Sequence, residues 1–178
     1  MKHRKHGFTL VELLTIVAIL GLFTSLSVAA LGPLRDRYNL RQAGELVASA
    51  AARAQLQARE TGRCHTLQVY TVNASGNPVQ VTNLGAEGDR LRVARRTTAD
   101  CGDSLEAGPH EEIEWVRMPG RSRIRVTGTS EPEWRPNSRL RQGATEFRVR
   151  ANANEELAIQ LMAPGAVCVS ELPLEACP

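Results

Sequence analysis

The sequence predicts an α+β fold, with one long N-terminal helix followed by an antiparallel β domain. Three observations predict it. Residues 8–33 hold a single charge, Glu12. Residues 34–61 change to a helical apolar period, and beyond Gly62 the period switches to two.

The elements run in order. Met1 to Gly7 is a short leader carrying Lys2, Arg4 and Lys5. Residues 8–31 form an apolar helix of about 36 Å, enough to cross a bilayer core of about 30 Å. Gly32-Pro33 predicts a kink or a locally unwound segment, because proline lacks a backbone donor and clashes with the preceding turn. Leu40, Ala43, Val47, Ala50 and Ala54 then recur every three or four residues, with Arg41, Glu45, Arg53 and Arg59 elsewhere. This reads as an amphipathic half that packs one face on the rest of the chain and stops at Gly62.

Residues 62–178 form the β domain. Strands are predicted around Leu67–Thr71, Val79–Val81, Leu91–Val93, Ile113–Met118, Ile124–Val126, Phe147–Val149, Leu157–Leu161 and Ala166–Val169. The turn cluster from Asn73 to Pro78 separates the first two, and polar loops are expected over 99–111 and 128–143. The alternation implies sheets with one buried face and one wet face. At about 115 residues, this part is large enough for one modest core.

The formal charge of +3 is concentrated in the leader, so the chain without it is near neutral. Every lysine lies in that leader, and all later cations except histidine are arginines. The leading basic cluster favours a cytoplasmic N-terminus, which sends the β domain to the opposite side. The four cysteines, Cys64, Cys101, Cys168 and Cys177, argue for disulfides in an exported domain. Three connectivities can be drawn. Cys168–Cys177 would pin the C-terminus and Cys64–Cys101 would staple the start of the domain. No Cys-x-x-Cys occurs and His65 and His110 lack ligand spacing, so neither a metal site nor a cofactor is expected. No phosphate loop, Gly-x-Ser-x-Gly or His-Glu-x-x-His points to an enzyme. Asn73-Ala74-Ser75 matches a glycosylation sequon and reads as a turn.

Gly7-Phe8-Thr9-Leu10-Val11-Glu12, behind a basic leader and heading an apolar run, resembles the class III signal of the type IV pilin superfamily. The resemblance implies a pilin-like fold. It implies that a prepilin peptidase cuts after Gly7, that Phe8 becomes the N-methylated first residue, and that Glu12 pairs with the α-amine of a neighbouring subunit. A side chain at Gly7 would crowd the peptidase. An ordinary secretory signal is cut after its apolar region, whereas here the site precedes it and the apolar segment survives. The competing reading is an uncleaved single-span anchor.

Ala52-Arg53-Ala54, Gln57-Ala58-Arg59, the late strands at Phe147 and Leu157–Met162, and the closing Gly165-Ala166-Val167-Cys168-Val169 are similar to the minor pseudopilin H branch, which includes minor pilins. This similarity implies a structural subunit of a type IV pilus or a type II secretion pseudopilus, in a priming or tip complex. Its partners would be the prepilin peptidase, other minor and major pilins or pseudopilins, inner-membrane lipid and a tip adhesin. Its place before assembly would be the inner membrane, single-pass, with a periplasmic C-terminal domain.

A second reading competes on the same scaffold. Arg121, Arg123, Arg125, Arg148 and Arg150 are candidates for nucleic-acid binding, and Gly120-Arg121-Ser122-Arg123 resembles the Gly-Arg-x-Arg element of DNA-uptake pilins. There the element lies near the C-terminus, and here it does not. The alternative is a solvated face of arginines paired with acids or with other pilins.

Overall fold

The computed structural model describes residues 9–81, 86–97, 101, 110–120, 122–126, 132–137, 139–141, 145–151, 155–162 and 166–171. The chain divides into two units between Arg35 and Asp36. Helix α1 runs Leu10–Thr61 through both and ends at Gly62, whose φ of 64° is a left-handed conformation that glycine adopts without a Cβ penalty. Pro33 lies inside the helix. The unwound segment expected at Gly32-Pro33 does not form, since a proline removes one donor while the turns on either side keep theirs.

In the first unit every described side chain from Leu10 to Thr24 is exposed. Among the described residues no helix is long and apolar enough to cross a membrane. That statement excludes Phe8 and the side chains of residues 25–30, which belong to the apolar stretch read in the sequence.

Among the described residues the second unit holds the rest of α1 and nine strands: β1 (His65–Val72), β2 (Pro78–Gln80), β3 (Arg90–Arg96), β4 (His110–Arg117), β5 (Arg123–Val126), β6 (Glu133–Trp134), β7 (Thr145–Arg150), β8 (Glu156–Met162) and β9 (Ala166–Glu171). The first sheet has the order β2-β1-β3-β4, with β6 added to β1; the second has the order β5-β7-β8-β9. Every named pairing is antiparallel. The polar loop expected over 128–143 therefore contains a strand. β6 is two residues long, too short to show alternation, and is held by the register His65↔Trp134 and Thr66↔Glu133.

The helical period places the core. Leu40, Ala43, Val47, Ala50, Ala54 and Ala58 are buried, while Arg41, Glu45, Arg53 and Arg59 face water. The buried residues share one cluster with Leu67, Leu91 and Val93 of the first sheet and with Ile124, Phe147 and Ile159 of the second. Small helix residues permit close approach: a Cβ at Gly44 would sit 2.7 Å from Leu157 Cδ2. Cys64, immediately before β1, is joined to Cys101 with a Cα–Cα distance of 5.6 Å, one of the pairings the sequence allows.

The sheets are stitched together at Gly88. Its N–H donates to Ile124 O at 2.8 Å and its carbonyl accepts from Ile124 N at 2.9 Å. A Cβ there would lie 2.3 Å from Tyr70 O and 2.5 Å from Val69 Cγ1. Because the first obstacle is backbone, Gly88→Ala is expected to destabilise the domain by about 1–3 kcal/mol. Urea unfolding checks this, and an unchanged midpoint would show that the bridge relaxes freely.

Candidate functional site

Two regions carry the sequence-derived candidates. At the N-terminal end, Gly7 and Phe8 lie outside the described residues, whereas Glu12 sits in the first turn of α1. Thr9 N donates to Glu12 Oε2 at 3.0 Å, Thr9 Oγ1 donates to the same oxygen at 3.1 Å, and Glu12 N donates to Thr9 Oγ1 at 3.3 Å. This reciprocal arrangement is a capping box, which satisfies amide donors that the helix itself leaves open. Sequence reasoning missed this role, although Thr-x-x-Glu before an apolar run signals it. One Glu12 oxygen is thus engaged locally, and the carboxylate remains on the exposed surface of the helix.

The second region is the arginines. Register puts Arg123 opposite Arg150 and Arg125 opposite Arg148, on one face of the second sheet. Arg121 lies outside the described residues. The other four are brought together, but three of them are met by carboxylates. Arg125 contacts Glu156 at 2.6 Å, Arg148 contacts Glu146 at 2.5 Å, and Arg150 contacts Glu87 at 2.5 Å. Glu146 also raises the Arg148 pKa through its hydrogen bond. This face is an interleaved ionic surface, with the positive field cancelled at short range.

The sequence from Arg117 to Arg150 is rich in arginine, adding Arg117, Arg135, Arg139 and Arg141 to these candidates, but it does not form one patch. Arg117 belongs to the first sheet and Arg141 is buried. Arg96 Nε reaches Glu133 Oε1 at 2.5 Å, and Arg141 Nη1 reaches Glu133 Oε2 at 2.9 Å. Arg141 Nη1 also donates to Cys101 O at 3.2 Å, and Arg96 N donates to Cys64 O at 2.9 Å. A buried Arg–Glu–Arg network thus sits against the Cys64–Cys101 disulfide and ties β3 to β6. It organises the domain and presents no charge to a ligand. Cys168 is also disulfide-bonded; Cys177, its expected mate, lies outside the described residues.

His65 is fully buried beside the network, with Nδ1 3.0 Å from Arg63 O and Nε2 without a hydrogen-bond partner among the described residues. Burial lowers its pKa, the Arg63 carbonyl opposes that shift, and the Arg95 charge adds to it. The folded protein therefore binds this proton less readily than the unfolded chain. Its stabilising contribution is present above the unfolded value of about 6.5 and declines as pH falls below it, by at most about 1.4 kcal/mol per pH unit. Thermal stability from about pH 7.5 down to about pH 5 should fall more steeply for the wild type than for His65→Gln. Parallel profiles would contradict the assignment.

The described residues contain no group of three or more His, Cys, Asp or Glu placed to hold a metal ion. Residues 2–28 match the prokaryotic N-terminal methylation motif. No curated protein sequence matches the chain. Among solved structures, the chain is similar to the type IV minor pilin FimU of Pseudomonas aeruginosa PAO1, with a TM-score of 0.52 and 12% identity, covering 78% of this chain and 92% of that one. It is also similar to the minor pseudopilin EpsH from the type 2 secretion system of Vibrio cholerae, with a TM-score of 0.48 and 5% identity, covering 76% and 99%. The likeness to FimU covers 78% of this chain, and the pilin-like fold expected from the resemblance is the fold observed.

Proposed function

We infer from the methylation motif and the pilin-like fold that this chain is a type IV pilin superfamily member, a minor pilin or pseudopilin, a structural subunit of a periplasmic filament and not an enzyme. The observation that carries this reading is the coincidence of the motif over residues 2–28 with a helix whose described apolar side chains are all bare from Leu10 to Phe23. Exposed apolar surface of that extent requires lipid or neighbouring helices. In this reading residues 1–7 are a leader, residues 8–33 anchor the precursor in the inner membrane, residues 34–61 are the docked half of the helix, and residues 62–178 are the periplasmic domain.

The reading assigns a role to each N-terminal residue. The peptidase cuts after Gly7 and leaves Phe8 as the new terminus. Glu12 then meets the α-amine of an adjacent subunit and sets axial register as subunits leave the membrane. A carboxylate at the bilayer centre costs on the order of 2.5–3.5 kcal/mol by insertion scales. An opposite charge at contact distance offsets much of that in a low-dielectric setting. The position in a priming or tip complex is drawn from the resemblance to minor subunits.

The test is at the cut. Gly7→Val is expected to leave the leader attached, raising the intact mass by residues 1–7. Normal removal of the leader from that variant would contradict the role given to Gly7. DNA uptake is the weaker reading, because carboxylates meet Arg125, Arg148 and Arg150 on the face that would bind it.

A further inference from the structure

The two sheets treat their arginines differently. On the second, carboxylates neutralise the guanidinium groups. On the outer face of the first, they largely do not. Register places Arg90 opposite both Tyr70 and Arg117, and Arg92 opposite Trp115. All five side chains therefore share one face across β1, β3 and β4, and residues two apart on a strand stand about 7 Å apart. Arg92 Nη1 donates to Tyr70 Oη at 2.8 Å, and its guanidinium lies 5.7 Å from the Tyr70 ring and 6.0 Å from the Trp115 ring. Asp89 Oδ2 stands 3.8 Å from Arg90 Nε, beyond hydrogen-bond reach. The one acid that bonds an aromatic here, among the described residues, is Glu112, which accepts from Trp115 Nε1. Among the described residues Arg92 and Arg117 have no carboxylate partner, and the buried Nε–H groups of Arg90 and Arg92 have no acceptor.

The buried Nε–H groups are closed to a partner, but the exposed guanidinium of Arg117, without a carboxylate among the described residues, presents charge and donors that an anionic neighbour can meet. Arginine, tyrosine and tryptophan are the side chains that dominate protein interface hot spots. The two rings meet edge to face with centroids 4.9 Å apart, and Arg92 lies over both. They are engaged with each other and with a cation, which leaves them ill suited to a platform for stacked bases. Carboxylates suit the face better, because a guanidinium fork binds them in bidentate geometry.

We propose that this face docks the acidic surface of a neighbouring subunit of the same filament; the proposal rests on the filament-subunit reading above. The charges of Arg90, Arg92 and Arg117 steer the encounter and select an acidic surface over a neutral one.

The experiment replaces Arg117 with the photo-crosslinker p-benzoylphenylalanine in the full chain, expressed with its filament. Mass spectrometry identifies the product. The expected product is a peptide rich in Asp or Glu from a chain with an N-methylated terminus. Its yield should fall about tenfold when Arg90→Glu and Arg92→Glu are added, and stay unchanged with Arg123→Glu and Arg125→Glu. Leader removal and retention of the Cys64–Cys101 bond show that each variant has folded and entered the pathway. Crosslinking to nucleic acid, to a segment without acids, or to nothing overturns the proposal, as does a yield indifferent to the first-sheet reversals. A leader left in place on the otherwise unaltered chain would instead defeat the underlying filament reading.

Discussion

Glu133→Gln is expected to destabilise the β domain by about 3–5 kcal/mol, the cost of breaking a buried ion pair from one side. Glu133 is 1% exposed and accepts from both Arg96 and Arg141, whose side chains are 2% and 7% exposed. Removing its charge leaves two guanidinium groups in the interior without their shared carboxylate. The loss would appear as a lower urea midpoint and a lower melting temperature. The network is not strongly stabilising in itself, because desolvation of three charges offsets much of their attraction. Replacing Arg96, Glu133 and Arg141 together by apolar residues of similar volume should therefore cost far less than Glu133→Gln alone. If the single variant unfolds within about 1 kcal/mol of wild type, the charges are solvated and the network has been misread.

The second large effect concerns Glu12. Its observed role in capping the helix and its proposed role in pairing across subunits separate cleanly by substitution. Glu12→Ala removes both. Glu12→Gln keeps an acceptor for Thr9 N and Thr9 Oγ1, so it preserves the capping box while removing the charge. Both variants are expected to lose their leader normally. Both should also fail to enter filaments, with incorporation reduced about tenfold or more, as for an unpaired charge partner worth over about 1.4 kcal/mol. Immunoblotting of sheared filaments against the membrane fraction measures this. Normal incorporation of Glu12→Gln alongside loss for Glu12→Ala would assign the whole effect to the cap and leave no part for intersubunit charge pairing.

Much of this fold is legible in the sequence wherever one face of an element is buried and the other is not. The 40, 43, 47, 50, 54 spacing on α1 and the alternation of Phe147 and Val149 state their burial directly. β1 departs from that rule. Its second face, Thr66, Gln68 and Tyr70, reads as wet in the sequence and is buried in the fold. Tyr70 packs against Trp115 and lies under Arg92, and such cross-strand cover depends on register, which a single strand does not reveal. β6 escapes because two residues give no period.

The arginines are the harder case. Sequence proximity groups Arg117 through Arg150, yet topology sends Arg117 to one sheet, Arg123 to the other and Arg141 to the interior. Some partners are near in sequence, as Glu146 is to Arg148 and Glu133 to Arg141, but Glu156 meets Arg125 and Glu87 meets Arg150 from distant segments, so a run of like charge in the sequence becomes a neutralised surface in space. The cap at Thr9 and Glu12 is legible as Thr-x-x-Glu, but a lone acid in an apolar run signals a membrane role more loudly than a local one.

Whether the apolar helix begins at Phe8 in the working protein is the central question. Intact mass and N-terminal sequence of the chain taken from envelopes and from sheared filaments decide it. The expected species lacks residues 1–7, starts at Phe8, carries one added methyl group and is present in both fractions. A chain that retains Met1 and is absent from the filament fraction would contradict the filament reading at its root.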